Sequence, residues 1–181
     1  YVYIGMLTGV FECGAIYLAA RFIPWLRRFD SNRALALGYG FGAVEALLLA
    51  LGGLIPTLLF LYLPGSLSPE VAAHIKPMDW TILPAPTIER IATIFVHGFT
   101  TYLVFYAVRF RATAYFWAAF AFKTAIDAVA AWGQLGLGIG SAQNIWLLES
   151  IVVVFGAVSV WGIIVMRRRW ARAEAGEAAP G

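Results

Sequence analysis

The apolar stretches of this chain are too long for the helices of an ordinary soluble domain. Gly38 to Gly53 carries a single charged residue, Glu45, and comparable runs recur along the sequence. A helix needs about 20 mostly apolar residues to cross a bilayer, and in hydrocarbon only helices and closed barrels satisfy every backbone polar group. Apolar residues make up 61% of the chain and charged residues 13%, against about 45–50% and 25% in soluble domains. Hydropathy predicts five helices, over 1–26, 34–63, 87–108, 114–135 and 144–166. The expected fold is all-α, a polytopic transmembrane helical bundle of about five membrane-spanning helices. It forms one domain over 1–170, and the small, polar stretch 171–181 reads as a disordered tail. Pro56 predicts a kink near the far end of the second helix, because proline removes a backbone donor and clashes one turn back.

The charges flanking these runs set an orientation. Arg27, Arg28 and Arg33 follow the first helix, Arg109 and Arg111 the third, and Arg167, Arg168, Arg169 and Arg172 the fifth. Five spans put all three clusters on one side, which the positive-inside rule makes cytoplasmic, with the C-terminus. The opposite side takes the 64–86 connection, whose single basic residue is Lys76, and the uncharged Gly136–Gln143 loop. Ser68-Pro69-Glu70 has the form of a helix start, so Val71–Ile75 predicts a short surface turn and His74 a solvated loop histidine. The net charge of +3 does not indicate a nucleic-acid partner, because the arginines sit at helix ends rather than on a face interleaved with aromatics. The lone Cys13 excludes an internal disulfide framework. The first run carries Glu12 and has no basic leader, so no signal peptide is expected. Starting at Tyr1 without methionine, the N-terminus reads as incomplete.

Ionisable residues inside the spans are the functional candidates, since each costs about 2.5–3.5 kcal/mol at the bilayer centre. At 1.5 Å per residue, Glu12, Glu45, His97, Lys123 and Asp127 fall in one middle layer although they come from four helices. Blander readings stand beside the shared site. Lys123 and Asp127 are four apart and can neutralise one another, and His97 can be satisfied by a threonine hydroxyl. Glu149 lies nearer the outer surface and reads as structural. Glu45 has no partner on its own helix, which makes it the first candidate. The glycines at 38, 40 and 42 let a neighbouring helix or a substrate come close. Arg90, His97 and Thr101 form one stripe. Glu89 and Arg90 either anchor the third helix at the interface or line the site, with Arg90 neutralising a deeper carboxylate.

No metal or other cofactor is expected. Zinc prefers histidine and cysteine, and only His97 and Cys13 lie within the spans. A carboxylate-rich site stays open but has no His-Glu-x-x-His spacing behind it, and no nucleophile elbow is present. The chemistry left open is a buried glutamate acting on water, assisted by a histidine.

Gly38-Tyr-Gly-Phe-Gly-Ala-Val-Glu45-Ala followed by Glu89-Arg90-Ile-Ala-x-Ile-x-Val-His97 resembles the YhfC family of intramembrane proteases, similar to the wider glutamic-type CAAX-protease and bacteriocin-processing superfamily. Gly9-Val-Phe-Glu12 resembles the start of that family's Phe-Glu-Glu-x-x-Arg helix. Lys123-x-x-x-Asp127 stands where the family has His-x-x-x-Asp. The order and spacing of the four motifs match across nearly the whole chain. Cys13 and Ile16 replace the second glutamate and the arginine of the first motif, Phe41 a histidine, and Lys123 another. Upstream helices expected in the family do not occur in this sequence.

The resemblance implies an integral protein of a bacterial inner membrane that hydrolyses peptide bonds with a Glu-activated water. Glu45, Glu12 and His97 would be catalytic, with His97 stabilising the oxyanion, while Glu89, Arg90, Lys123 and Asp127 would support them. The implied partners are the lipid bilayer and a membrane-protein or peptide substrate. Two alternatives remain open at this point: a catalytically weakened relative serving as a scaffold or subunit of a larger membrane complex, and an ion or proton path through the midplane charges. The second is weakened by the lack of an inverted repeat.

Overall fold

A computed structural model describes residues 1–63, 65–70, 81–82, 84–137 and 141–178, with residues 177 and 178 described by backbone alone. The expected turn over Val71–Ile75, with His74, lies outside the described residues, as does Lys76. Five long helices occur among the described residues: α1 (Val2–Phe22), α2 (Ser31–Tyr62), α3 (Ala85–Arg109), α4 (Thr113–Trp132) and α5 (Ala142–Ala178). No strand occurs among the described residues. The protein is an all-α helical membrane bundle.

Four of these helices, α1, α2, α3 and α5, are long and apolar enough to cross a membrane. The sequence reading makes α4 a span as well, but Lys123 and Asp127 leave it outside that group. It joins the bundle by packing along α1 and α3. Gly5 and Gly9 of α1 face it so closely that a Cβ on Gly9 would lie 2.8 Å from the Thr124 hydroxyl.

The centre of the bundle is α3. It packs against all four other helices, and its C-terminal half is buried from Thr100 through Ala107. Pro86 starts it within the first turn, where a missing N–H leaves no bond unmade. Asp30 caps α2, its carboxylate accepting the Arg33 amide at 2.9 Å, so α2 begins three residues before the predicted start. It continues through Pro56 without ending.

Within the 171–181 stretch read as a disordered tail, the described residues through Ala178 are helical. Helix α5 continues through the arginine-rich segment to Ala178. Trp170 explains the extension: it is fully buried, stacks within 6 Å of Tyr102, Tyr106 and Phe110, and donates its indole N–H to Glu174 at 2.8 Å. Burying an indole with its polar atom paired holds the flanking turns in helix.

Candidate functional site

Helix α1 changes its winding where it reaches the polar layer. Residues Val10–Gly14 form a π turn, and one-turn π bulges inside α-helices are frequent at functional sites. Glu12 and Cys13 lie in that turn. The bulge shifts the phase of the helix at Glu12, a feature that hydropathy does not report.

On the facing side, α2 and α3 approach closely. A Cβ on Gly38 would stand 2.8 Å from the Gly98 Cα, and one on Gly42 would stand 3.0 Å from the Ile94 Cα and 3.1 Å from the His97 Cβ. These two glycines, four apart, let the α2 backbone lie against α3. Gly40 has open space around it, so only two of the three glycines singled out by the sequence serve the contact. Their approach sets Glu45, less than one turn beyond Gly42, beside His97.

His97 is 2% exposed and lies between two carboxylates. Its Nε2 is 2.8 Å from Glu45 Oε2, and its Nδ1 is 3.5 Å from Glu12 Oε2. No threonine hydroxyl among the described residues takes the ring. Phe41 packs on it at 5.2 Å between centroids. Lys123, also buried, reaches Glu12 at 3.1 Å and Asp127 at 3.3 Å. The Lys123–Asp127 pair anticipated within α4 therefore exists, but the ammonium also bridges to α1. Arg90 lies 3.8 Å from Glu45 and pairs with its neighbour Glu89. All seven candidate residues thus belong to one chain of contacts running from Glu89 through Arg90, Glu45, His97, Glu12 and Lys123 to Asp127. Thr101 does not join it; this residue faces Gly38.

Accessibility differs along this chain. The Glu45 side chain is 37% exposed and Glu12 19%, whereas His97 and Lys123 are nearly closed off. A groove of ≈ 490 Å³ between α2 and α3 is lined by Ala46, the residue after Glu45, by Leu49, Ala50 and Ile94, and by the Glu89–Arg90 pair, whose Arg90 is 3.8 Å from Glu45. Its walls are apolar except at that pair and at Thr87.

The cluster also has the donor chemistry of a cation site. Glu12, Glu45 and His97 each offer one ligand atom, all within 4.8 Å of one another. Two carboxylates and an imidazole make a three-ligand set that leaves a position for water, as catalytic zinc sites do. Four carboxylates in the chain of contacts face two permanent cations, Arg90 and Lys123, an excess of negative charge that a divalent ion would offset. The sequence shows no spacing signature for a carboxylate-rich site, because its carboxylates come from separate helices and become ligands together only once α1 and α2 meet α3. The residues fit such an ion.

A family model described as YhfC intramembrane metalloprotease matches residues 1–152. No curated protein matches, and no solved structure matches.

Proposed function

The chain belongs to the YhfC intramembrane metalloprotease family, and on that premise we propose that it hydrolyses peptide bonds of membrane-embedded substrates at the Glu12–Glu45–His97 cluster. The observation that carries this reading is the contact of His97 with carboxylates from two other helices, 2.8 Å to Glu45 and 3.5 Å to Glu12. Three ionisable groups of independent helices meet where each alone is costly in hydrocarbon.

Glu45 is the base. It is the most exposed of the three and stands beside the groove between α2 and α3, so a water held against its carboxylate is also beside a substrate lying in that groove. The proton leaves the water for a Glu45 oxygen as the water oxygen attacks the scissile carbonyl. Glu45 then returns that proton to the departing amine. His97 orients Glu45: with both ring nitrogens turned to carboxylates, it is poorly placed to receive an oxyanion. Arg90, 25% exposed and at the groove, is better placed to stabilise that charge. Lys123 and Asp127 hold Glu12 in place from the buried side. A divalent ion held by Glu12, Glu45 and His97 would lower the pKa of a bound water and polarise the carbonyl. In the membrane, the arginine-bearing helix ends face the cytoplasm; equal labelling from outside intact cells of cysteines placed near Ser31 and Ser68 would end that orientation.

Glu45→Gln keeps the size and hydrogen-bonding reach of the side chain while removing the base. Cleavage of a transmembrane peptide by the purified protein is expected to fall about 10²- to 10⁴-fold, with the melting temperature maintained. Undiminished cleavage by the variant removes Glu45 as the base. A parent that cleaves no transmembrane peptide, with or without added zinc, overturns hydrolysis itself.

A further inference from the structure

One buried carboxylate among the described residues stands outside the chain of contacts. Glu149 on α5 is 5% exposed, and its Oε2 is buried with no hydrogen-bond partner among the described residues. A carboxylate in that position is strongly disfavoured unless a cation reaches it. The nearby permanent cation, Arg90, is engaged with Glu89 and Glu45.

Glu149 lines a second cavity, of ≈ 210 Å³, where the start of α3 meets α4 and α5. Pro86, Leu148 and Val152 supply apolar walls, and Glu89 and Gln134 are its other polar members. This cavity and the groove beside Glu45 share Pro86 and Glu89, so they adjoin across the first turn of α3. A chain lying in the groove can send one side chain over that turn towards Glu149.

We propose that this cavity is a specificity subsite for a cationic side chain of the substrate, a lysine ammonium or an arginine guanidinium, with Glu149 as its counter-charge. The proposal rests on the reading of the groove as the place where a peptide lies. The cavity is smaller than the roughly 300–1,000 Å³ of sites for drug-sized ligands but several times the ≈ 30 Å³ share of one water. That is room for one long side chain. A bare metal ion suits it less, because hard cations take six or more oxygens and one of the two carboxylates here already holds Arg90. An aliphatic stem against Pro86, Leu148 and Val152 with a charged head at Glu149 uses both features of the cavity.

Binding tests the subsite without requiring turnover. The full chain in detergent is titrated with fluorescent leucine–alanine helical peptides of about 20 residues, each carrying one lysine at successive positions in one end third, and with matched glutamine peptides. At one register the lysine peptide is expected to bind about 10- to 100-fold tighter than its glutamine partner, the range for a hydrogen bond to a charged group. Arginine at the same register should behave as lysine does. Glu149→Gln should abolish the difference while leaving the melting temperature unchanged or raised, since an unpaired buried charge has been removed. Equal binding of lysine and glutamine peptides at every register overturns the subsite, as does a preference that survives in Glu149→Gln. Stabilisation of the parent by calcium or zinc that is lost in Glu149→Gln, with no effect of peptide charge, reassigns the cavity to an inorganic ion and also overturns it. A charge preference in binding without cleavage keeps the subsite and fails hydrolysis, so the two readings part cleanly.

Discussion

Helices α2 and α3 lie side by side and are buried in opposite ways. In the most apolar window of α3, 72% of residues are buried inside the protein, whereas in that of α2 none is, although α2 is the more hydrophobic, with mean hydropathy 2.2 against 1.6. In water this order would be reversed, because apolar surface drives burial. In a bilayer the lipid is as apolar as leucine, so a helix gains nothing by hiding leucines, and small or polar residues do the packing. The α3 sequence follows that rule with His97, Gly98, Thr100 and Thr101 at its buried face. The α2 sequence follows it only in its first three turns, where Ala34, Leu35, Gly38 and Gly42 are buried. Beyond Glu45 its side chains, Leu47 to Leu63, face outward for the most part. Glu45 stands at the change from one regime to the other, which is why it is both paired and the most exposed of the central carboxylates.

The difference can be attacked from the polar side first. Lys123→Ala removes the cation shared by Glu12 and Asp127 and should destabilise the protein in detergent by about 3–5 kcal/mol, the range for breaking a buried pair. Adding Asp127→Asn should recover part of the loss but not all of it, because Glu12 still lacks its partner. Full recovery in the double variant would show that Lys123 serves Asp127 alone. Next is the seam between the two helices. Gly42→Ala places a Cβ against the Ile94 backbone and should cost about 1–3 kcal/mol by overpacking, whereas Gly40→Ala should be neutral or slightly stabilising. Equal effects at both positions would mean that the seam lies elsewhere on α2.

The smallest effects are expected on the lipid side. Leu54 and Leu58, 51% and 42% exposed, should tolerate alanine within about 0.5 kcal/mol, as exposed positions do. Val104 of α3, fully buried, should lose about 1–3 kcal/mol on the same truncation, by analogy with larger core deletions. A loss above about 1 kcal/mol at Leu54 or Leu58, measured as unfolding in one detergent, would show that this half of α2 is covered by protein rather than by lipid.

What the sequence determined by itself is what depends on local order along the chain. Hydropathy over windows as long as a membrane span marks helical membrane segments wherever they pack, and the fixed rise of a helix converts residue number into depth. Those two facts were enough to place Glu12, Glu45, His97, Lys123 and Asp127 in one layer and to name the residues that meet. Contact between them needed the rotational phase of each helix, which is set by packing against neighbours distant in sequence. The π turn at Val10–Gly14 changes the phase of Glu12, and Gly38 and Gly42, rather than Gly40, decide which face of α2 meets His97. The same dependence hid the cation-site chemistry of two carboxylates on separate helices, the helical continuation past Trp170, and the isolation of Glu149. Each of those was settled by which side chains another helix supplied or withheld, and depth along a helix carries no information about that.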